Sequence, residues 1–544
     1  MTLAEKLVHL RAVNNISQEE LAHQLDASRQ SVSKWESGES SPSIDNIKQL
    51  CSLFRITADD LLNDEVIIHR GKKIPKDPNL AKTKYFGTDG FRGEVNKVLT
   101  GTHAYQIGRF LGWFYSQCEY TGQKPGYRPS IIIGKDTRRS SYMLEYAVAA
   151  GIAASGGDVS LLHVTTTPSV SYIVRQDGFD CGVMITASHN PFYDNGIKVI
   201  NADGEKLEDE VAVLIEAYVD GDLSKLGIEG DDLPLANREN IGSITDYVSG
   251  RNRYIGYLIS LAKHSMKKLR IGLDCANGAS FTIAKNVFDA LGAQTFVIND
   301  RPNGLNINLD AGSTHIEKFC KFVKDNELDV GFAFDGDADR CIAVDNKGKV
   351  VDGDKIMYLF AKKFKEDGCL EKDTVVATIM SNSGLIKALK QLGCKVVQTK
   401  VGDRFVFEEM QKNNYSLGGE QSGHIILKKY ATTGDGVLTA IMVCETMLDN
   451  KETLANLVAP VKLLPQKIKN VLVTDKDAVI NDEAVQAKFK EVNEEIGDNG
   501  RASLRPSGTE PVVRIMVECP TEEECLSYID KIYSVIKKRG YICE

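Results

Sequence analysis

The sequence has no long apolar run, no closely paired cysteines and no excess of positive charge, and each absence argues against a class of protein. No stretch approaches the ~18 consecutive apolar residues that cross a bilayer, so we expect no membrane partner. The 12 cysteines lie singly, without a C-x-x-C pair, which argues against a zinc site and against a disulfide framework. The formal net charge of −9 gives the chain as a whole no attraction for nucleic acid or anionic membranes. Phosphate groups must therefore be bound by local basic residues.

The start of the chain and its cysteines indicate a compartment. The first ten residues, MTLAEKLVHL, lack the character of a secretory signal peptide. Because unpaired cysteines are typical of a reducing environment, we expect a cytoplasmic protein with free thiols. A length of 544 residues exceeds what one hydrophobic core supports, so we also expect several domains.

Residues 1–64 have the pattern of a small all-helical unit. Apolar residues recur at helical spacing, and Ser17 with Glu20 three residues later predicts a capping box at the start of a second helix. Ser28 predicts the cap of a third helix. The polar stretch 65–81, which contains two prolines, predicts a linker.

One unit recurs three times after the linker: an apolar strand, an amphipathic helix, a glycine and a second strand. It spans residues 130–162, 269–298 and 374–399. Such repeats imply parallel strands covered by helices, so we predict three related α/β domains. The last ~80 residues follow a different pattern and predict a fourth, α+β domain. The predicted domain limits are 82–260, 261–352, 353–458 and 459–544.

A hydroxyl at the end of an apolar strand is the first candidate for chemistry. Cys181–Ile185 predicts a buried strand, and Ser188 follows it in the segment TASHNP. Pro191 keeps the residue before it out of the helical region, so we expect an exposed loop that presents the Ser188 hydroxyl to a cleft. No G-x-S-x-G elbow contains this serine, which argues against a hydrolase triad. A strand-end serine in an ordinary turn is the alternative.

Three carboxylates at alternate positions form the second candidate. Asp335, Asp337 and Asp339 follow the predicted strand GFAF, and their alternation lets them converge on one hard cation such as Mg²⁺. An EF-hand is excluded because Arg340 stands at the sixth position instead of glycine and Asn346 at the twelfth instead of glutamate. An aspartyl nucleophile of the haloacid-dehalogenase type and a solvated acidic turn remain alternatives.

Basic and polar groups that could bind phosphate or sugar lie in further segments. Arg92 in FGTDGFRG and Lys198 in NGIK could face a phosphoryl group, and Lys198 could also act as a base. A turn arginine and a surface lysine are the alternatives. Gly418–His424 offers donors and acceptors for sugar hydroxyls. Arg505–Thr509, with Arg514 soon after it, suits a dianionic phosphate or an ordinary turn.

Together and in this order, these motifs resemble the α-D-phosphohexomutase family over residues ~82–544. The matching segments are FGTDGFRG, TASHNPFYDNGIK, GLNIN, GSTH, GGEQSGH, TTGDG (432–436) and RPSGTEP. These segments are most similar in sequence to those of the branch of the family that acts on glucosamine phosphates, and Phe91 and Thr186 are mild departures from its pattern.

The resemblance implies four domains around one cleft and Mg²⁺-dependent interconversion of glucosamine 6-phosphate and glucosamine 1-phosphate, with glucose or mannose phosphates as alternative substrates. It implies that Ser188 carries the phosphoryl group and that a sugar bisphosphate is the intermediate and activator. The three aspartates would bind one Mg²⁺, with the Ser188 phosphate as a further ligand. The implied catalytic residues are Ser188, Lys198, Arg92 and His189, and the implied substrate-binding residues are Arg340, Glu420, Ser422, His424, Arg505, Ser507, Gly508, Thr509 and Arg514.

A second resemblance lies in the N-terminal unit. ISQEELA, a short turn and SRQSVSKWE resemble a lambda-repressor-like helix-turn-helix, whose third helix enters the major groove. The outward residues of that helix would be Arg29, Gln30, Ser31, Ser33 and Lys34. Residues 1–64 carry six Lys and Arg against ten Asp and Glu, and a net negative unit is attracted only weakly to phosphates. DNA binding and protein docking or dimerisation are therefore both open.

A function of another class follows from this second resemblance. The chain could be a DNA-binding regulator that uses the body of the enzyme as a sugar-phosphate sensor. The presence of Ser188 and of all three aspartates argues against an inactive body.

Overall fold

The computed structural model describes residues 2–13, 16–54, 58–62, 83–87, 89–117, 126–507 and 511–543. The predicted linker, 65–81, and two residues of the predicted phosphate loop, Gly508 and Thr509, lie outside this described part. Every described helix is too short or too polar to cross a membrane.

Five helices form the N-terminal unit. They are α1 (Leu3–Val13), α2 (Gln18–Gln24), α3 (Arg29–Glu36), α4 (Ile44–Phe54) and α5 (Ala58–Leu62). Ser17 caps α2 in the predicted capping box, and Ser28 caps α3. Leu21, Val32 and Trp35 lie in one buried core, which confirms the predicted all-helical unit.

A seven-stranded mixed sheet follows. In the spatial order β1-β2-β6-β5-β3-β4-β7, its strands are β1 (Phe86–Gly87), β2 (Gly90–Glu94), β3 (Ser130–Lys135), β4 (Asp158–Val164), β5 (Cys181–Ile185), β6 (Asp194–Asn201) and β7 (Ile244–Asp246). The helices are α6 (Gly101–Phe114), α7 (Arg139–Ala154), α8 (Thr167–Asp177) and α9 (Asp209–Val219), and α10 (Val248–Ser260) leads to the next sheet. Because β3 lies parallel to β5, the loops after both strands meet at one edge of the sheet.

The second sheet has five strands in the order β12-β11-β10-β8-β9. They are β8 (Arg270–Asp274), β9 (Gln294–Ile298), β10 (Val330–Phe334), β11 (Cys341–Asp345) and β12 (Val350–Val351), with the helices α11 (Ala284–Ala290) and α12 (Glu317–Asp325). Strands β10 and β11 are antiparallel, with Phe334 opposite Cys341. Residues 335–340 are therefore the loop of a hairpin.

Two smaller sheets complete the chain. The third, ordered β14-β13-β15-β16, contains β13 (Thr374–Thr378), β14 (Lys395–Thr399), β15 (Leu417–Gly419) and β16 (Ile425–Leu427), with α13 (Gly353–Glu366), α14 (Ser383–Gln391), α15 (Asp403–Asn413), α16 (Gly436–Asn450) and α17 (Leu454–Leu457). The fourth, ordered β17-β19-β18, contains β17 (Gln466–Leu472), β18 (Arg501–Pro506) and β19 (Val512–Glu518), with α18 (Lys476–Asn481), α19 (Glu483–Ile496) and α20 (Glu522–Lys538).

One apolar core joins the second and third sheets. Phe332, Val375 and Leu438 belong to the same buried cluster, whereas the first and fourth sheets have cores of their own. The three predicted units are β3–α7–β4, β8–α11–β9 and β13–α14–β14, and the two strands of each unit are parallel. The fourth sheet is antiparallel throughout. The predicted fold class, three related α/β units followed by a different C-terminal unit, is confirmed.

Candidate functional site

Ser188 lies in the loop after β5, as predicted, but it is buried. The residue is only 1% exposed, so the expectation of an exposed loop is wrong at this position. The backbone of Gly336, from the second sheet, packs directly on the Ser188 carbonyl. Ser188 also has a φ of 51°, and its N–H donates to Thr186 Oγ1 at 2.9 Å. The turn is thus fixed from within and covered from the neighbouring sheet.

Two residues that are not among the predicted site residues hold this turn, although one of them, Asn308, ends the matching segment GLNIN. Arg138, fully buried after β3, pairs with Asp136 and donates through Nη2 to the carbonyls of Ser188 at 3.2 Å and Asn190 at 2.6 Å. Asn308 donates through Nδ2 to the same two carbonyls, at 2.8 and 3.1 Å. Arg138 could have been predicted, because it lies in the loop after β3, a strand that is parallel to β5.

The three predicted aspartates converge next to Ser188. One carboxylate oxygen each from Asp335, Asp337 and Asp339 lies within 4.8 Å of the other two, and all three residues are buried. The Ser188 hydroxyl donates to Asp335 Oδ2 at 2.5 Å. In the described part of the chain, Asp337 Oδ1 and Asp339 Oδ1 have no hydrogen-bond partner. Buried, unused oxygens of this kind fit a hard divalent cation such as Mg²⁺.

We call residues 335–340 the metal loop. Its three carboxylates do not share one electrostatic environment. Burial, together with Asp339 and Asp337, raises the pKa of Asp335 well above its ordinary value. Burial acts in the same direction on Asp339, but Lys198, His424 and Arg340 together outweigh it and lower the pKa of that carboxyl. A bound dication would relieve the repulsion that Asp335 feels.

Lys198, on β6, reaches into the metal loop. Its Nζ lies 2.8 Å from Asp337 Oδ2, 3.1 Å from Asp89 Oδ2 and 3.5 Å from Asp339 Oδ2. Burial opposes the charge of Lys198, but the three carboxylates together raise its pKa above the ordinary value. Thr167 also donates to Asp337 Oδ2, at 2.6 Å. The lysine is therefore a buried cation at the edge of the metal loop.

Arg92 and Lys198 contact the same carboxylate. Arg92 pairs with Asp89, the residue that Lys198 also contacts. Lys206 bridges Asp89 at 3.0 Å and Asp403 at 2.7 Å, so this network connects the first sheet to the third. A pocket of about 680 Å³ lies beside it, and Asp89, Lys206 and Asp403 are among its lining residues. The motif analysis missed Asp89, although it stands three residues before Arg92 in the same glycine-rich segment.

His189 and Arg340 contact each other on the other side of Ser188. The Nδ1 atom of His189 lies 3.4 Å from Ser188 Oγ and 3.2 Å from Arg340 Nη1. Burial, Arg340 and Arg92 lower the pKa of His189 to about 4. The backbone N–H of Arg340 donates to Asp335 Oδ1 at 3.2 Å. The structure thus brings both residues to the metal loop.

The predicted sugar loop connects β15 and β16. His424 is buried, with Nδ1 3.7 Å from Asp339 Oδ1, and its Nε2 accepts a hydrogen bond from the Gly434 N–H at 2.9 Å. Glu420 Oε1 accepts from the Gly402 N–H at 3.0 Å. Ser422 is exposed at the tip of the loop. Of the three predicted residues, His424 is the one in contact with the metal loop.

The predicted phosphate-binding residues lie on the fourth sheet. Arg505 of β18 stands opposite Arg514 of β19, and burial together with Arg514 lowers the pKa of Arg505. Ser507 is buried, and its N–H donates to the Val512 carbonyl at 2.8 Å. Two neighbouring guanidinium groups attract an anion. This pair of arginines lies on the fourth sheet, whereas the metal loop belongs to the second.

The third helix of the N-terminal unit presents most of its predicted residues to solvent. Arg29, Gln30, Ser33 and Lys34 are exposed, whereas Ser31 is half-buried and hydrogen-bonds to the cap residue Ser28. Four of the five predicted positions thus lie on the outward face of α3.

Comparison with family sequence patterns covers most of the chain. Residues 83–225, 252–348 and 352–463 match the alpha/beta/alpha domains I, II and III of "Phosphoglucomutase/phosphomannomutase", and 468–535 match its C-terminal domain. Residues 10–61 match a family described as "Helix-turn-helix".

Curated relatives and solved structures agree with these matches. A phosphoglucosamine mutase of Lachnospira eligens is 55% identical over 458 residues, which cover 84% of this chain and 99% of the relative. One of Anoxybacillus flavithermus is 48% identical over 456 residues, with 84% and 99% coverage. A solved phosphoglucomutase/phosphomannomutase family protein of Burkholderia thailandensis has a TM-score of 0.68 at 22% identity and covers 84% of this chain and 98% of its own. Aspergillus fumigatus N-acetylphosphoglucosamine mutase, in complex with GlcNAc-6P and magnesium, has a TM-score of 0.60 at 18% identity, with 84% and 96% coverage.

Proposed function

Since the chain belongs to the phosphoglucomutase/phosphomannomutase family, we propose that it interconverts glucosamine 6-phosphate and glucosamine 1-phosphate. The observation that carries this proposal is the Ser188 hydroxyl, 2.5 Å from Asp335 of the metal loop. The relatives named phosphoglucosamine mutase, which are 55% and 48% identical to this chain, support the choice of sugar.

Ser188 is the carrier in the proposed reaction. Its phosphate ester breaks at the Ser188 Oγ–P bond while a bond forms between phosphorus and a hydroxyl oxygen of the hexose phosphate, and the proton of that hydroxyl ends on Ser188 Oγ. The product of this step is a sugar bisphosphate. The bisphosphate turns end for end, and Ser188 Oγ takes the phosphoryl group from the other end. Both ends of the ligand thus react at the same serine.

The metal loop neutralises charge in this scheme. Asp335, Asp337 and Asp339 would hold Mg²⁺, which would supply positive charge against the oxygens of the phosphoryl group in transfer. The unused oxygens Asp337 Oδ1 and Asp339 Oδ1 support this placement of the metal. Lys198 and Arg92 add fixed positive charge at the edge of the metal loop, and the contact of Lys198 with Asp337 favours its role as a phosphate partner over its role as a base.

The remaining predicted residues orient the substrate. Glu420, Ser422 and His424 bind hydroxyl groups of the sugar, and Arg505 with Arg514 binds the phosphate that does not react. Binding energy from that distal phosphate aligns the acceptor hydroxyl with the phosphoserine. His189, whose pKa of about 4 leaves it neutral at pH 7, accepts a hydrogen bond from Arg340 and adds no charge beside Ser188.

The test compares three substrates. The purified protein is assayed with glucosamine 6-phosphate, glucose 6-phosphate and mannose 6-phosphate at saturating Mg²⁺. We expect the highest kcat/KM for glucosamine 6-phosphate. If glucosamine 6-phosphate is the poorest of the three, the proposed sugar is wrong. Mapping of phosphopeptides from the same preparation is expected to find the phosphate on Ser188.

A second candidate function, DNA binding, is supported by the charge distribution on α3. Its exposed face carries Arg29 and Lys34, and its one acidic residue, Glu36, is turned inward and paired with Arg11 at 2.6 Å. The exposed face of α3 itself therefore carries no acidic residue, with Arg29 paired to Glu19 of α2 at 2.9 Å, although residues 1–64 are net acidic. We propose that α3 contacts DNA, with protein docking or dimerisation as the competing role. Selection from random duplexes at low salt, with and without hexose phosphate, tests this; a lack of sequence-selective binding ends the idea.

A further inference from the structure

We propose that Tyr254 and Asp435 are positioning residues for the reaction: they hold the loop 432–436, which we call the TTGDG loop, against the metal loop and His424. The TTGDG loop precedes α16 and contributes no group to the scheme above. The inference rests on the proposed Mg²⁺ site. It assigns a role to the TTGDG segment, for which the family resemblance implied none.

A buried hydrogen bond anchors the TTGDG loop. The Tyr254 hydroxyl, on α10, donates to Asp435 Oδ2 at 2.8 Å, and Asp435 Oδ1 accepts from the Leu438 N–H at 2.9 Å, where it caps α16. Tyr254 is fully buried and Asp435 is 2% exposed. Both carboxylate oxygens therefore have a partner, and removal of the tyrosine hydroxyl leaves one of them buried without that partner.

The anchored loop touches the backbone of the metal loop. The Gly436 N–H donates to the Ala338 carbonyl at 3.0 Å. A Cβ atom at position 436 would stand 2.6 Å from the Arg340 carbonyl, and one at Gly434 would stand 2.6 Å from the Asp339 carbonyl. Because these distances leave no space for a side chain, the position of the TTGDG loop sets the position of the backbone that carries Asp339.

The same loop orients the sugar-loop histidine. The Gly434 N–H contacts His424 Nε2 at 2.9 Å, and Nε2 also faces Asp403 Oδ2 at 3.5 Å. The other ring nitrogen, Nδ1, faces Asp339 Oδ1 at 3.7 Å. A shift of the TTGDG loop would therefore displace His424 and Asp339 together.

The test removes the anchor and measures metal binding directly. Mg²⁺ is titrated into the full-length protein in a calorimeter, without sugar phosphate. We expect Tyr254→Phe to weaken Mg²⁺ binding about tenfold, since loss of a group that orients metal ligands has effects of this size. Asp435→Asn is the conservative variant: its amide oxygen can still cap α16 and its amide nitrogen can donate to the Tyr254 hydroxyl oxygen. We expect its Mg²⁺ affinity to stay within about twofold of the unaltered chain.

The chain offers a matched control. Tyr541 donates to Asp482 Oδ2 at 2.9 Å, and Asp482 caps α19, so Tyr541→Phe also removes a hydrogen bond from a tyrosine to a helix-capping aspartate, here at the fourth sheet, where Arg539 still donates to the same oxygen at 2.8 Å. We expect it to lower the Tm and leave Mg²⁺ affinity unchanged. If Tyr254→Phe lowers the Tm in the same way with unchanged Mg²⁺ affinity, its role is structural only and the inference is wrong.

Two further outcomes are separable. If Tyr254→Phe does not fold, Gly434→Ala takes its place, because its Cβ presses on both the Asp339 carbonyl and His424; unchanged Mg²⁺ affinity in that variant overturns the inference. If the unaltered chain binds no Mg²⁺, the metal site of the proposed function falls, and the inference falls with it.

Discussion

Among the residues that the structure describes, two groups of buried acids can be compared, and one of them has the properties of a metal site. The first is the metal loop. The second, which we call the joint group, consists of Asp352, Asp354 and Glu518, where the N-terminus of α13 meets α14 and the fourth sheet. Asp354 and Glu518 are fully buried, as the metal-loop aspartates nearly are.

The two groups differ in what their oxygens contact. In the joint group, one oxygen of each acid accepts from a backbone N–H: Asn382 donates to Asp354 Oδ2 at 2.6 Å, Ser383 to Glu518 Oε1 at 2.6 Å and Lys355 to Asp352 Oδ1 at 3.2 Å. Asp354 Oδ1 has no hydrogen-bond partner among the described residues. In the metal loop, oxygens of three carboxylates face one another within 4.8 Å. The difference teaches that neither clustering of acids nor an unused oxygen is sufficient; oxygens of several carboxylates must share a centre.

Burial raises the pKa of one acid in the metal loop, Asp335, and of two in the joint group, Asp352 and Asp354, and the neighbouring groups decide the consequence. Burial raises the pKa of Asp354 to about 8, with Asp352 contributing, so Asp354 is mostly protonated at pH 7. Burial also raises the pKa of Asp335, but the Ser188 hydroxyl and the two other aspartates stand beside it. A proton satisfies the joint group, whereas a cation suits the metal loop.

Removal of the Ser188 hydroxyl has the largest expected effect in this comparison, because this hydroxyl, beside Asp335, is the proposed carrier of the phosphoryl group. We expect Ser188→Ala to lower turnover of the hexose phosphate by at least about 10³-fold, since the atom that accepts the phosphoryl group is lost. Mg²⁺ binding by calorimetry is expected to persist, because the three aspartates remain. Near-normal turnover would contradict the assigned role of Ser188.

Exchange of a carboxylate for an amide separates the two groups more finely. Asp337→Asn removes the charge of a metal-loop ligand, so we expect the Mg²⁺ concentration for half-maximal turnover to rise about 10- to 100-fold. The matched change in the joint group, Asp354→Asn, is expected to leave that concentration unchanged. An equal Mg²⁺ requirement in both variants would remove the distinction between the groups.

The stability of the chain is expected to fall with rising pH through Asp354 of the joint group. The pKa of Asp354 is about 8 in the folded chain, against about 4 for an unfolded aspartate. The folded state therefore holds a proton that the unfolded state releases, and stability is lost as the pH rises from about 4 to about 8. Asp354→Asn has no such loss. We expect its Tm to equal that of the unaltered chain near pH 4 and to exceed it by a few degrees at pH 8; a difference that does not change with pH would be contrary to this account.

The local parts of the site could be predicted from the sequence. Apolar runs marked β5 and β10, and the strand-end rule placed Ser188 and the three aspartates in the loops that follow them. The capping signals at Ser17 and Ser28 were equally local, and both are confirmed.

The contacts that complete the site could not be predicted from local patterns. Tyr254 and Asp435 are 181 residues apart, and Asn308 is 120 residues from the carbonyl that it holds. Such pairs depend on how one sheet packs against another, which periodicity does not encode. The burial of Ser188 has the same origin, since the covering backbone belongs to the second sheet. The predicted domain limits stay predictions.

The positive φ of Ser188 has a consequence for folding that is separate from its chemistry. At a φ of 51°, a residue with a Cβ atom is held in a conformation that glycine adopts more easily, at a difference of up to about 1 kcal/mol. Ser188→Gly is therefore expected to have a higher Tm than Ser188→Ala, although both lack the hydroxyl; equal Tm values would show that the turn is relaxed. The folded turn would thus be more stable with glycine at position 188, the position that carries the reactive side chain.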